Sequence, residues 1–162
     1  MRELLVGRLE AIAARRLDNP ALKWRGSPWT YAALDAAVKA VSSALIRRRF
    51  PPQARIALLL RNCPQYVACF YATLRAGYAV VPLNVHERAS VLMRQVTHSG
   101  ASMIVCDLDH PERSAIQDEA LAKGVEFMGV SIETGSGAAH ALAESFGALG
   151  ETGAPAPVRE ND

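Results

Sequence analysis

Two short segments of this 162-residue chain contain residue types that could bind a phosphate or a metal ion. The first, residues 133–139 (Glu-Thr-Gly-Ser-Gly-Ala-Ala), follows a predicted strand, and its glycines would let backbone N–H groups point at an anion. It contains no Gly-Lys-Ser/Thr and no complete Gly-x-Gly-x-x-Gly, because His140 stands at the position of the third glycine. We favour a plain flexible loop here, with a nucleotide cradle as the alternative.

The second segment carries Asp107, Asp109 and Glu112, again directly after a predicted strand. Carboxylates at this spacing could hold Mg²⁺ or contact the hydroxyl groups of a ribose. The interpretation that we favour is a solvated loop in which Asp109 caps the helix that follows.

Three further polar residues, Arg61, Asn62 and Asn84, follow the other predicted strands. Arg61 and Asn62 could contact a ligand, although Asn62, just before Cys63-Pro64, is favoured as the cap of the next helix. Asn84 could orient a substrate or hold its own turn, and both interpretations stay open. No serine has the flanking residues of a nucleophile elbow, and no histidine forms a recognisable nucleophile–base pattern.

The cysteines and histidines lack the spacing of metal ligands. An odd number of cysteines without Cys-x-x-Cys argues against a disulfide framework and for a reducing compartment. This predicts a cytoplasmic protein whose cysteines are buried as small hydrophobic residues. The residues concerned are Cys63, Cys69, Cys106, His86, His98, His110 and His140.

Composition excludes several function classes. The formal net charge of +2, with 50% hydrophobic and 21% charged residues, is typical of a globular domain and gives no basis for a nucleic-acid partner. The longest apolar run, residues 56–60, is far shorter than the ~20 residues that cross a bilayer, so we expect no transmembrane segment.

The elements that position these residues alternate between helices and strands. Residues 55–60 have no polar alternation, which is typical of a strand buried on both faces of a parallel sheet. We predict a second buried strand at 78–81, ended by Pro82 because proline cannot donate to the ladder. Val67, Phe70, Tyr71 and Leu74 are predicted as the apolar stripe of the helix between Pro64 and Gly77.

The whole pattern predicts an α/β fold, a doubly wound, mostly parallel sheet with helices on both sides. Residues 1–149 are expected to form the domain, and residues 150–162 a Gly/Pro-rich tail or the end of an interrupted domain. The other predicted helices cover residues 3–17, the segment after Thr30, 89–99, 111–123 and 138–146, and the other predicted strands cover 21–24, 103–106 and 125–132.

Four motifs in register over residues 3–107 resemble the AMP-forming acyl-CoA synthetases and their adenylate-forming relatives. Val80-Val81-Pro82-Leu83-Asn84 is more similar to acyl-CoA synthetases than to the adenylation domains of peptide synthetases. Arg88 and Ser90 depart from the pattern, since they stand where the family tends to have a threonine cap and an acid. The four motifs are residues 29–34, 55–66, 74–84 and 99–107.

The resemblance implies an ATP-dependent ligase that converts a carboxylate, such as a fatty acid, to an acyl-adenylate and then to an acyl-CoA. ATP, Mg²⁺ and CoA are implied for the full-length family enzyme. The family's Ser/Thr/Gly-rich loop ending in Pro-Lys-Gly and its C-terminal lysine match no position in this sequence, so no catalytic, cofactor-binding or metal-binding residue can be carried over. We therefore expect an N-terminal fragment that is inactive alone and whose partner is the missing C-terminal part of the synthetase. The alternatives are a non-catalytic interaction or regulatory module and a fragment of a peptide-synthetase adenylation domain.

Overall fold

A four-stranded parallel sheet with the spatial order β4-β3-β5-β6 organises the fold in the computed structural model, which describes residues 5–135 and 137–147. An antiparallel hairpin, β1 with β2, lies apart from this sheet. In chain order the elements are α1 (Leu5–Arg15), β1 (Pro20–Trp24), β2 (Ser27–Thr30), α2 (Tyr31–Arg47), β3 (Arg55–Leu59), α3 (Pro64–Arg75), β4 (Ala79–Pro82), α4 (Ala89–Ser99), β5 (Ala101–Asp107), α5 (Arg113–Ala122), β6 (Glu126–Val130) and α6 (Ala138–Gly147).

Helices cover both faces of the sheet, which confirms the doubly wound α/β prediction. On one face Ile56 and Leu58 of β3 pack in a cluster with α2, α3 and α6. On the other face Ala57 and Leu59 pack in a second cluster with α4 and α5. Because successive side chains of a strand point to opposite faces, an unbroken apolar run such as residues 56–59 supplies both cores at once.

Local signals place most element boundaries. The Thr30 hydroxyl accepts a hydrogen bond from the Ala33 N–H at 3.1 Å and caps α2, as predicted. Gly77 follows the end of α3 with φ +81°, and Gly100 ends α4 with φ +65°, so both occupy the left-handed region that favours glycine. The hairpin partner of β1 was not predicted, because β2 contains Pro28 and is short.

The predicted apolar stripe of α3 packs against the core, although its side chains are only half-buried. Val67, Phe70 and Tyr71 pack against the first core cluster, and Leu74 is half-buried. The fully buried face lies beside this stripe, and α3 packs against α2. That face consists of Pro64, Gln65, Ala68, Cys69, Ala72 and Thr73.

The prediction that β4 is a buried strand is wrong, since β4 is an outer strand with exposed ends. Pro82 is the last residue of β4, so the strand ends at this proline as predicted. The amides of Ala79 and Leu83 donate to carbonyls of residues 54 and 58, so the Pro82 nitrogen faces the edge of β4 that pairs with no other described strand. Proline is tolerated there because no ladder hydrogen bond is lost.

The predicted tail, residues 150–162, lies outside the described residues. Within residues 5–135 and 137–147, no helix combines the length and the apolar character needed to cross a bilayer.

Candidate functional site

A cleft of about 370 Å³ opens at the carboxyl ends of β3 and β4. Residues 60–62 and Tyr66 form one wall, and residues 83–86 form the other. It lies beside the point where the strand order reverses, because the chain passes from β3 to β4 and then returns to β5 on the far side of β3. Open α/β sheets bind their ligands beyond the carboxyl ends of their strands, most often at the reversal point, which here lies between β3 and β5, next to the cleft.

The structure brings three of the sequence-predicted polar residues together behind this cleft. Arg61 Nε donates to Asp107 Oδ2 at 2.8 Å, and Arg61 Nη2 lies 3.5 Å from Asp109 Oδ2. The side chain of Asp107 is 7% exposed and that of Arg61 is 38% exposed. The hydrogen bond to Asp107 raises the pKa of Arg61, against the smaller effect of burial.

Asp107 is fully engaged by protein groups, which disfavours the Mg²⁺ alternative. Its Oδ1 accepts a hydrogen bond from the Asp109 N–H at 3.0 Å, while Oδ2 accepts from Arg61. The Arg61 guanidinium thus supplies the positive charge that a metal ion would otherwise supply. Among the described residues no group of three His, Cys, Asp or Glu side chains could hold a metal ion. The solvated-loop interpretation fits Asp109, whose side chain is 80% exposed.

Glu112 does not join this cluster, and Asp109 does not cap α5. The N-cap of α5 is Glu112, without a side-chain hydrogen bond. The Glu112 carboxylate instead accepts a hydrogen bond from the N–H of Ala89, the first residue of α4. The N-cap residue of α4, Arg88, makes no side-chain cap bond of its own. Glu112 therefore caps α4 from another loop. It supplies the hydrogen-bond acceptor that Arg88 lacks and the acidic group that Ser90 lacks.

His110 connects the loop between β5 and α5 with the loop between β4 and α4. Its ring is buried; Nδ1 accepts from the Glu112 N–H at 3.2 Å, and Nε2 lies 3.2 Å from the Val85 carbonyl oxygen. This pattern requires the neutral tautomer with the proton on Nε2. Since Val85 belongs to a cleft wall, the loop between β5 and α5 holds that wall in place. The spacing of the histidines gave no signal for this role.

The cap of α4 can be tested with two substitutions at Glu112. We expect Glu112→Ala to lower the free energy of unfolding by about 1–2 kcal/mol, because it removes both a hydrogen bond and a charge at a helix N-terminus. Glu112→Gln keeps an acceptor and should lose about half as much. Urea denaturation measures both values. Glu119→Ala, a partly exposed position of α5, is the control and should change stability by less than ~0.5 kcal/mol. Equal stability of Glu112→Ala and the parent chain would contradict this role.

Asn62 is not the cap of α3, contrary to the prediction. The cap is Cys63, whose sulfur accepts a hydrogen bond from the Tyr66 N–H at 3.4 Å. Asn62 is exposed and lines the cleft. Of the two interpretations of Asn84, the structure shows the turn, since Asn84 Oδ1 accepts from the His86 N–H at 3.1 Å.

All three cysteines are free and buried, as predicted. Burial raises the pKa of Cys63 and of Cys69, and it raises the pKa of Cys106 to about 12. The thiols are therefore protonated near neutral pH and unsuited to nucleophilic chemistry.

The glycine-rich segment is held by two other parts of the molecule. The N–H of Gly135 donates to the Ser27 hydroxyl at 3.0 Å, so this amide is not directed at a ligand. Gln65 Nε2 donates to the Glu133 carbonyl oxygen at 2.9 Å. These contacts fit an anchored loop better than a phosphate cradle.

Known proteins are similar to this chain over somewhat more than half of its length. It is 29% identical to 4-hydroxybutyrate–CoA ligase 2 of Metallosphaera sedula over 90 residues, which is 56% of this chain and 16% of that protein. It is 27% identical to surfactin synthase subunit 1 of Bacillus subtilis over 96 residues, or 59% of this chain and 3% of that protein. The chain thus spans less than a fifth of the length of these relatives.

The same fold occurs in apo MatB from Rhodopseudomonas palustris, with a TM-score of 0.74 and 22% identity over 96% of this chain and 30% of that chain. The model of the family of AMP-binding enzymes matches residues 9–160 of this chain. The match includes both cores, the cleft and the loops that support it. This chain belongs to the family of AMP-binding, adenylate-forming enzymes.

Proposed function

We propose that this chain is the N-terminal scaffold of an AMP-forming carboxylate–CoA ligase and does not form an adenylate by itself. In this proposal residues 1–149 belong to the ligase domain, residues 150–162 are a tail or linker, and no residue of the chain is catalytic. The reaction of the whole ligase would require ATP, Mg²⁺ and CoA, bound mainly by residues that this sequence does not contain.

The proposal rests on one observation: polar groups at the carboxyl edge of the sheet form hydrogen bonds and ion pairs with other parts of the chain. Asp107 is neutralised by Arg61, Glu112 caps α4, and the Gly135 amide is bonded to Ser27. Each group therefore stabilises the scaffold instead of facing a substrate. The similarity to a 4-hydroxybutyrate–CoA ligase supports the ligase class.

The pyrophosphate-exchange assay tests the inactivity of the chain. We expect the 162-residue protein, incubated with Mg-ATP, labelled pyrophosphate and a panel of carboxylic acids, to give no exchange above the blank. Exchange that rises with protein concentration would contradict the proposal. Circular dichroism of the same sample should show that the protein is folded, so that a lack of exchange is not caused by unfolding.

The ligase class is tested with a longer protein, translated in frame beyond the codon for Asp162. We expect this protein to contain a Thr/Ser/Gly-rich loop ending in Pro-Lys-Gly, to catalyse exchange, and to form an acyl-CoA that mass spectrometry detects. A frame without such a loop would refute the ligase proposal and favour a non-catalytic module.

A peptide-synthetase adenylation domain is the second candidate, favoured by the similarity to surfactin synthase subunit 1. It predicts exchange with amino acids and no release of a CoA thioester. The free, buried cysteines support a reducing compartment, so we propose a cytoplasmic location for either enzyme.

A further inference from the structure

The charges of this chain are divided unevenly between the two sides of the sheet. Residues 5–49, here named the basic layer, form α1, the hairpin and α2 and pack on one face of the sheet. They contain nine basic and three acidic residues, a formal net charge of +6. Residues 87–126, which include α4 and α5 on the other face, contain four basic and seven acidic residues, a formal net charge of −3. The basic layer therefore attracts anionic surfaces.

Exposed apolar side chains are concentrated in the same layer. Within the described residues six large hydrophobic side chains are exposed, and four of them belong to the basic layer. These four are Leu5, Ile12, Leu17 and Ile46, whereas Leu108 and Leu121 lie in other parts of the molecule. Cations and exposed aliphatic side chains thus occur together.

Helix α1 leaves half of its apolar stripe uncovered. Leu5, Leu9, Ile12 and Ala13 share one face of the helix, because they are spaced i, i+4, i+7 and i+8. Leu9 and Ala13 are buried, whereas Leu5 is 49% exposed and Ile12 is 41% exposed. The core therefore covers only part of this stripe.

Two arginines border the uncovered part of the stripe. Arg15 and Arg16 follow Ile12 at i+3 and i+4, and the Arg16 N–H donates to the Ile12 carbonyl oxygen at 3.0 Å, so the helical spacing continues to residue 16. Both arginines are exposed. Glu10, the acid of this helix, is paired with Arg75 of α3 and does not neutralise them. The exposed side of α1 is therefore both apolar and cationic.

We propose that α1 lies on the surface of an anionic lipid bilayer. Leu5 and Ile12 enter the boundary between headgroups and acyl chains, and Arg15 and Arg16 contact the lipid phosphates. The net charge of the basic layer adds attraction over the length of the Debye screening. This property is separate from the ligase reaction and does not depend on it.

The combination of side chains favours a bilayer over other anionic surfaces. A nucleic acid would neutralise the two arginines but would leave Leu5 and Ile12 in water, since phosphate contacts dominate such binding. A bilayer offers both partners together, with phosphates at its surface and acyl chains directly beneath them.

Cosedimentation of the 162-residue protein with lipid vesicles tests the proposal. With phosphatidylcholine vesicles that contain about 30% phosphatidylserine, we expect a partition coefficient on the order of 10³–10⁴ M⁻¹ at low salt. Binding should fall at least ~tenfold at about 0.5 M NaCl and should be weak on phosphatidylcholine alone. Absence of binding to the anionic vesicles, or equal binding to both kinds of vesicle, would overturn the proposal.

Substitution of the apolar side chains separates a bilayer from a surface that binds by charge alone. Leu5→Gln with Ile12→Gln should lower the partition coefficient about tenfold, because two half-exposed aliphatic side chains no longer enter the bilayer. The matched control is Leu108→Gln with Leu121→Gln, at two exposed leucines outside the basic layer, and should change it less than ~twofold. An unchanged partition coefficient in the first variant, or an equal loss in the control, contradicts insertion of α1.

The arginines are tested in the same way. Arg15→Gln with Arg16→Gln should lower binding to the anionic vesicles about 20-fold, at roughly fivefold for each charge. The control, Arg88→Gln with Arg94→Gln, removes two exposed arginines at α4 and should lower it less than ~threefold. Equal losses in the two variants would show that net charge, and not α1, directs the binding.

The remainder of the ligase is the other possible cover for α1, and a longer protein, translated beyond Asp162, distinguishes the two. We expect Leu5→Gln with Ile12→Gln to weaken its vesicle binding and to leave its Tm unchanged. A lower Tm with unchanged vesicle binding would show that other parts of the ligase cover α1, which would overturn the proposal.

Discussion

A Gln65→Glu substitution is expected to destabilise the folded chain by about 3–4 kcal/mol at pH 7 and to have little effect at pH 4. Gln65 is fully buried, and its Nε2 donates to the Glu133 carbonyl oxygen at 2.9 Å. Its Oε1 is also buried and has no hydrogen-bond partner within the described residues. A carboxylate here would have neither a donor nor water, whereas a protonated carboxyl group could donate to Glu133 as the amide does.

The sign of the pH dependence follows from this geometry. Burial would raise the folded-state pKa of the carboxyl group introduced by Gln65→Glu above its unfolded value of ~4.3, so the unfolded state releases the proton first as the pH rises. The variant therefore keeps its stability below about pH 4 and loses ~1.4 kcal/mol for each pH unit above the unfolded pKa, until the folded group also ionises.

Urea denaturation of the variant and the parent at pH 4 and pH 7 measures this effect. Gln65→Met is the control, because it has a similar volume and removes both the donor and the unsatisfied acceptor. It should cost about 1 kcal/mol at either pH. An equal loss at both pH values in Gln65→Glu would show that packing, and not the charge, dominates.

Arg61→Met is expected to lower the free energy of unfolding by about 2–3 kcal/mol. It leaves the Asp107 carboxylate, 7% exposed, without its counter-charge and without its 2.8 Å hydrogen bond. Breaking a fully buried pair costs about 3–5 kcal/mol, and we expect less here because the arginine side is 38% exposed and screened by water.

Two further variants identify the origin of that loss. Asp109→Asn changes a side chain that is 80% exposed and should alter stability by less than ~0.5 kcal/mol. Arg61→Met with Asp107→Asn removes the buried charge as well and should be more stable than Arg61→Met alone. If the double variant is the less stable of the two, an unpaired carboxylate is not the cause. Thermal and urea unfolding at neutral pH give these comparisons.

Residues 55–60 show why much of the sheet could be predicted. An apolar run without polar alternation has one stable place in an α/β fold, between two helical layers. The same reasoning was wrong for residues 78–81, because the pattern of a short strand does not reveal how many neighbours it has. Only the spatial order of the strands makes β4 an outer strand and places Pro82 at the edge that pairs with no other described strand.

The helix between Pro64 and Gly77 illustrates a different limit. Its aromatic residues suggest a core stripe by size, yet close packing on α2 buries the smaller residues, among them Ala68 and Ala72. Gln65 lies on that buried face, and no periodicity in the sequence predicts a buried amide. Its partner, the Glu133 carbonyl, is 68 residues away along the chain.

For the polar residues near the cleft, the sequence predicted the positions but not the contacts. The sequence placed Arg61, Asn62, Asn84 and Asp107 at the carboxyl ends of strands, because parallel strands end at one edge of the sheet. It did not predict that Arg61 neutralises Asp107 or that Glu112 caps α4, 23 residues from its partner.

By itself, then, the sequence determined the α/β class, the adenylate-forming family and most helix and strand positions, because these depend on local periodicity, caps and short motifs. The tertiary structure alone decided which strands are outer strands, which helix face is buried, and which charge meets which. Those properties arise from contacts between residues far apart in the chain, and hydrogen bonds and ion pairs form only where the fold brings donor and acceptor within reach.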